Sequence, residues 1–217
     1  MITHIKVRNF KSLNDVSLRL GQRNVLVGPN MAGKTNLISL FRFLTQMVAS
    51  TPGVYGLPNA INMNGGFAEL AWRGSESNLI SISLQGKFDP PFPEDKSIGR
   101  KGWRYSLDIL GDRLKGSIMV QDESLVFCND AQDITLIQKD AKTGDRILSS
   151  ATGNIFARVD DPTRSALEYE IPNWEGNQLR AQFASFYFYR LIPQIMKQAN
   201  SVTAPRFLDE GGANLSS

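Results

Sequence analysis

The chain has 217 residues, 41% of them apolar, and 24 basic against 21 acidic side chains for a net charge of +3, a composition that fills one large globular domain or two small ones. Its apolar stretches are far shorter than a membrane span, and its N-terminus lacks a cationic-then-apolar signal region. Cys128 is the single cysteine, so an intramolecular disulfide is excluded, and a cytoplasmic protein is expected.

The first elements are strands. Ile2, Thr3, His4, Ile5, Lys6 and Val7 read as an edge-type strand, and Val16, Ser17, Leu18, Arg19 and Leu20 alternate with period two. The polar bend Arg8-Asn9-Phe10-Lys11-Ser12-Leu13 separates them. Arg23, Asn24, Val25, Leu26 and Val27 form a short apolar run that ends on Gly28, the pattern of a strand buried on both faces.

Residues 28–35 read Gly-Pro-Asn-Met-Ala-Gly-Lys-Thr, a full G-x-x-x-x-G-K-[ST] phosphate loop. Its chemistry follows from the residue types. Glycines let successive N–H groups turn inward on one anion, Lys34 brings a point charge to the β and γ phosphates, and the Thr35 hydroxyl is a hard oxygen ligand for Mg²⁺. A helix is predicted from near Gly33, because Leu37, Leu40, Phe41, Leu44, Met47 and Val48 fall on one stripe. Its N-terminus points at the loop. Residues 1–50 hold seven cations against Asp15 alone, a net of +6, so residues 51–217 net to −3. A triphosphate suffices to explain that field, and no basic run with interleaved aromatics marks a nucleic-acid face.

Further on, residues 49–66 collect Pro52, Gly53, Gly56, Pro58, Asn59, Asn62, Asn64, Gly65 and Gly66 and predict a long irregular loop. Short strands are expected over 67–72, 80–84, 103–109, 114–120, 124–127 and 134–138, joined by polar or glycine-bearing turns as in an antiparallel meander. Residues 88–102, with Pro90, Pro91 and Pro93, read as an excursion between strands. Cys128 follows the apolar run Leu125, Val126, Phe127 and reads as a small core hydrophobe. Residues 177–199 return to a helical period, with Leu179, Phe183, Phe186, Tyr187, Arg190 and Leu191 on one core-facing side and a kink or restart at Pro193.

With these residues laid out, residues 2–44 resemble the opening of the SMC and RecF-type ATPases of the ABC superclass, including the OLD-like and AAA-named branch. The shared pattern is a strand, an Asn-Phe-(Lys/Arg)-Ser bend (here Asn9-Phe10-Lys11-Ser12), an alternating strand and the phosphate loop. The resemblance implies a mixed α/β fold: a P-loop NTPase lobe of ABC/SMC type with an antiparallel β subdomain and a helical C-terminal segment. It implies ATP and Mg²⁺ as ligands, with Gly28, Asn30, Met31, Ala32, Gly33, Lys34, Thr35 and Asn36 at the phosphates. Lys11 and Ser12 would lie near the phosphates or ribose, Thr35 would hold the metal, and a second subunit would reach Asn30. The family commonly has glycine where this chain has Met31, so a positive φ there would strain the loop.

The catalytic partners of that family do not occur in the sequence. There is no signature motif, His4 on the first strand is the only histidine, and Asp209-Glu210 follows only Phe207 and Leu208 rather than a buried strand. The expectation is therefore a single first lobe, residues 1–217, of a longer ATPase, binding ATP with little or no turnover by itself. Such a protein would act as an ATP-dependent dimerisation switch, in DNA repair or anti-phage defence, with DNA as a partner of the complete protein and no membrane. A non-hydrolysing nucleotide-binding regulator and a P-loop small-molecule kinase are the alternatives; the antiparallel pattern of 67–150 disfavours the kinase.

Overall fold

The computed structural model describes residues 1–51, 54–88, 100–129, 132–196 and 211. Two compact units are present, Met1–Ala184 and Ser185–Ser217.

The first unit is built on a mixed α/β plan. Strands β1 (Ile2–Phe10), β2 (Leu13–Arg19), β5 (Leu79–Gly86), β6 (Arg100–Gly111), β7 (Ile118–Asn129), β8 (Ile134–Lys139), β9 (Arg146–Ser149) and β10 (Ile155–Val159) form one eight-stranded sheet ordered β10-β9-β8-β7-β6-β5-β1-β2. Every neighbouring pair is antiparallel. From β5 onward the strands add in sequence order, so the expected meander is present and continues to Val159. Its cause is visible in β5, where Ile80, Ile82 and Leu84 are buried and Ser81 and Ser83 alternate with them.

Helix α1 (Lys34–Val48) buries Leu37, Leu40, Leu44, Met47 and Val48 as expected, together with Phe43, while Phe41, expected on the same stripe, is only half-buried. Phe43 meets Phe10 of β1 edge-on at 5.7 Å, and Phe183 of α4 (Asn177–Ala184) meets Trp103 and Tyr105 of β6 at 6.0 and 5.8 Å. Thr45 of α1 donates to the Phe183 carbonyl at 2.9 Å, which ties the two helices together. The core lies between these helices and the sheet.

Several segments differ from the sequence expectation. Within 49–66 lie a two-stranded ladder, β3 (Ser50–Thr51) with β4 (Val54–Tyr55), and helix α2 (Gly56–Met63), which buries Leu57, Ala60 and Ile61. Pro58 sits in the first turn of α2, where its missing N–H costs nothing. Residues 67–72 are not a strand: Phe67–Leu70 form a one-turn helix, α3, because Phe67 and Leu70 are both drawn into the core. Residues 112–117 form the turn between β6 and β7, where Leu114 and Lys115 donate to the Asp112 carboxylate. Residues 89–99 and the Asp209-Glu210 pair lie outside the described residues.

Two corrections bear on the site. The run at residues 23–27 is no buried strand: Val25, Leu26 and Val27 are 86%, 43% and 90% exposed. A strand buried on both faces needs partners at its edges and cover above and below. Among the described residues nothing pairs with this run, and Asn24 instead closes a turn with Gly21. The helix expected over 177–199 is also divided. It ends at Ala184, and α5 (Pro193–Met196) is separate. Residues 185–192 are not helical, and Tyr187 and Tyr189 are 72% and 49% exposed rather than core-facing. Four consecutive aromatic residues propagate a helix poorly, and Pro193 disfavours helical geometry in the residue before it.

Candidate functional site

The phosphate-loop residues stand at the exposed N-terminus of α1. Gly28, Asn30, Met31, Ala32 and Thr35 are exposed, and Gly33, Lys34 and Asn36 are half-buried. Gly33 caps α1 in the left-handed region at φ 88°, with no side chain capping the helix end. Its carbonyl accepts from Asn36 and Leu37. The Asn36 amide is therefore engaged within the turn, and the Lys34 and Thr35 amides are the donors that the helix N-terminus offers a ligand. A side chain at position 33 would be strained by φ, and its Cβ would stand 3.0 Å from Ser12 Oγ. Close approach of the bend is the second reason for glycine here.

Lys34 is folded back over the loop: its ammonium donates to the Gly28 and Pro29 carbonyls at 2.7 and 2.6 Å. Both contacts are with carbonyls of the loop itself, so the ammonium stays beside residues 28 and 29. Met31 has φ 68° and is 98% exposed. The position does take the backbone region that favours glycine, and methionine accepts the strain with no compensating burial.

The expected bend over residues 8–13 is shorter in the structure: Asn9 and Phe10 end β1, and Lys11 and Ser12 make the turn into β2. Asn9 and Lys11 are left-handed, at φ 58° and 49°. Asn9 is pinned by donation to the Leu79 carbonyl at 2.9 Å, and Phe10 is fully buried. Ser12 accepts from the Asn36 side chain at 2.6 Å, which joins the bend to α1 beside Gly33. Lys11 reaches the residue that follows α2. Its ammonium donates to Asn64 Oδ1 at 3.0 Å, and the Asn64 amide donates to Gln46 Oε1 at 2.9 Å and to the Ala60 carbonyl at 2.8 Å. Burial holds the Lys11 ammonium below its ordinary pKa.

Between the bend and residues 69–73 opens a cavity of about 430 Å³, lined by Lys11, Ser12, Asn36, Asn64, Glu69, Ala71, Trp72 and Arg73. Asn64, Glu69, Trp72 and Arg73 carry no motif and were not legible as site residues. They come from positions more than fifty residues beyond the bend, joined by the Phe10–Ala71 bridge and by Lys11 N–H to the Leu70 carbonyl. Among the described residues, no cluster of three or more His, Cys, Asp or Glu could hold a metal by itself. A cation here would need the ligand's own oxygens beside Thr35. No described helix is long and apolar enough to cross a membrane.

The profile of the AAA ATPase domain family matches residues 1–188. The chain belongs to the AAA ATPase domain family. This agrees with the resemblance drawn from the bend and the phosphate loop, and it makes the chain part of a nucleotide-binding ATPase family. A chain solved in work on ATP-driven dimerisation and DNA-stimulated activation of SMC ATPases is 15% identical, with 86% of this chain and 92% of that chain covered and a TM-score of 0.40. No curated protein sequence matches.

Proposed function

We propose that residues 28–36 bind the phosphates of Mg-ATP and that binding switches this AAA ATPase domain between monomer and dimer. The observation that carries the reading is Lys34, whose ammonium already bridges the Gly28 and Pro29 carbonyls inside the loop. The donor set fits the ligand. First-turn amides and the Lys34 ammonium supply positive partners to phosphate oxygens, and the Thr35 hydroxyl is of the type that completes a magnesium shell. Gly28, Asn30, Met31, Ala32, Gly33 and Asn36 shape and extend that cradle, and Lys11 and Ser12 bound it on the side of the bend. Magnesium, when bound, neutralises phosphate charge; the chain's own part is to orient the phosphates and present Lys34 to them.

The dimerisation half of the proposal is supported by the apolar surface beside the loop. Val25, Val27 and Met31 are 86%, 90% and 98% exposed, and their burial against a second copy would add apolar area to a dimer. On this reading the complete ATPase site, and any action on DNA in repair or defence, depends on groups brought by that cover. By itself the lobe binds ATP with little turnover.

The metal assignment is tested by measuring ATP affinity with and without Mg²⁺. Wild type is expected to gain affinity on adding Mg²⁺, and Thr35→Ala to lose most of that gain while retaining Mg-free binding. An equal gain in both proteins would remove Thr35 from the metal site.

A further inference from the structure

We propose that the cavity beside the phosphate loop holds the nucleoside, stacked on Trp72, and that it accepts adenine and guanine alike. The inference rests on the triphosphate reading above and adds to it the location and selectivity of the base. The cavity's volume of about 430 Å³ lies in the range of small-molecule sites. Ser12 and Asn36 line it and also touch Gly33 of the loop, so phosphates on the loop would leave their sugar and base facing this opening.

Trp72 is a fixed platform. Its amide donates to the Asn9 carbonyl at 2.9 Å, its carbonyl accepts from Arg113 at 2.8 Å and from the Ser75 amide at 3.2 Å, and its indole covers Gly74. A Cβ at Gly74 would come within 2.5 Å of the ring, so glycine lets the indole lie there. The polar side chains of the cavity are engaged with one another: Lys11 with Asn64, Asn36 with Ser12, and Arg73 with both oxygens of Glu69. Each of these groups already has a partner within the protein. Stacking on an indole is tolerant because every base has a π face, whereas strong rejection of a wrong base requires polar groups that would be left unpaired.

The test uses the 217-residue chain with Mg²⁺ and three ligands: ATP, GTP and inorganic tripolyphosphate. ATP and GTP should bind within about threefold of each other. Both should quench tryptophan emission, since the other two tryptophans, Trp103 and Trp174, are only 1% and 2% exposed. In Trp72→Leu the ratio of ATP to tripolyphosphate affinity should fall at least about fivefold, and Trp72→Phe should restore most of it. An unchanged ratio in Trp72→Leu overturns the stacking role while leaving the phosphate loop standing. If Trp72→Leu does not fold, the wild-type emission decides: no quench at saturating ATP, with tripolyphosphate still competing, overturns it equally. Rejection of GTP by more than about thirtyfold would show an edge reader and overturn the tolerance. Binding of tripolyphosphate to neither wild type nor variant would defeat the parent reading, and the nucleoside site with it.

Discussion

Met31 and Glu123 are single residues whose surroundings make sharp demands. Met31 occupies the left-handed region while almost fully exposed, so its side chain contributes strain and little packing. Met31→Gly should remove a penalty of about 1 kcal/mol and leave ATP affinity equal or better. Met31→Val, β-branched at positive φ, should weaken ATP binding about fivefold, as read by calorimetry. Glu123 of β7 is fully buried and accepts from Tyr105 Oη, Ser165 Oγ and the Ala166 and Leu167 amides. Burial raises its pKa, and those four donors only partly offset the rise. Because the folded value is raised, Glu123's contribution is fully present below about pH 4.5, the unfolded value, and is lost as pH rises through the folded one. Glu123→Gln should cost about 1–3 kcal/mol in denaturant melts, since an amide N–H₂ would face the Ala166 N–H. The stability gap between wild type and this variant should narrow as pH rises above that point; a gap that widens would mean the carboxylate is held charged by its donors.

Among the elements, α2 depends on one glycine. Gly56 has φ 64°, and a Cβ there would lie 1.9 Å from the Glu168 carboxylate, which accepts from the Leu57 amide at 2.7 Å and pairs with Arg164. Gly56→Ala should therefore destabilise by at least about 2 kcal/mol in thermal or denaturant unfolding, through the clash, the strained φ and the displaced helix contact together. A change below about 0.5 kcal/mol would show that Glu168 does not hold the start of α2. The same element shows where sequence reading succeeds and where it stops. Helix α1 and strands β5, β6 and β8 were legible because a single period, 3.6 or two, decides which side chains reach the core, whereas the expected strands 114–120 and 124–127 are one strand, β7, that runs through the polar residues 121–123. Helix α2 was hidden: its apolar positions Leu57, Ala60 and Ile61 are spaced for a helix, but the surrounding glycine, proline and asparagine punctuation outweighed so short a stripe. The run Val25, Leu26, Val27 misled in the opposite sense, since burial of a strand is a property of its neighbours and not of its own residues. At the site, the loop and the bend were readable as motifs. Asn64 and Trp72 were not, because only the pairing of residues 9–11 with 70–72 brings them there.

For the whole molecule, the proposed switch predicts that nucleotide binding at residues 28–36 is coupled to assembly, with the exposed Val25, Val27 and Met31 covered in the dimer. Mg-ATP should raise the mass measured by light scattering from monomer to dimer, and the nucleotide-free protein should stay monomeric. A mass unchanged by saturating Mg-ATP would confine the function to binding without a switch. The measurement closest to the central claim is the titration of Mg-ATP against wild type and Lys34→Ala by calorimetry. Loss of the ammonium that reaches into the loop removes a charge-assisted contact of about 1.5–3 kcal/mol, so affinity should fall at least about tenfold with the fold intact. Equal affinity in the two proteins would contradict the placement of ATP on residues 28–36.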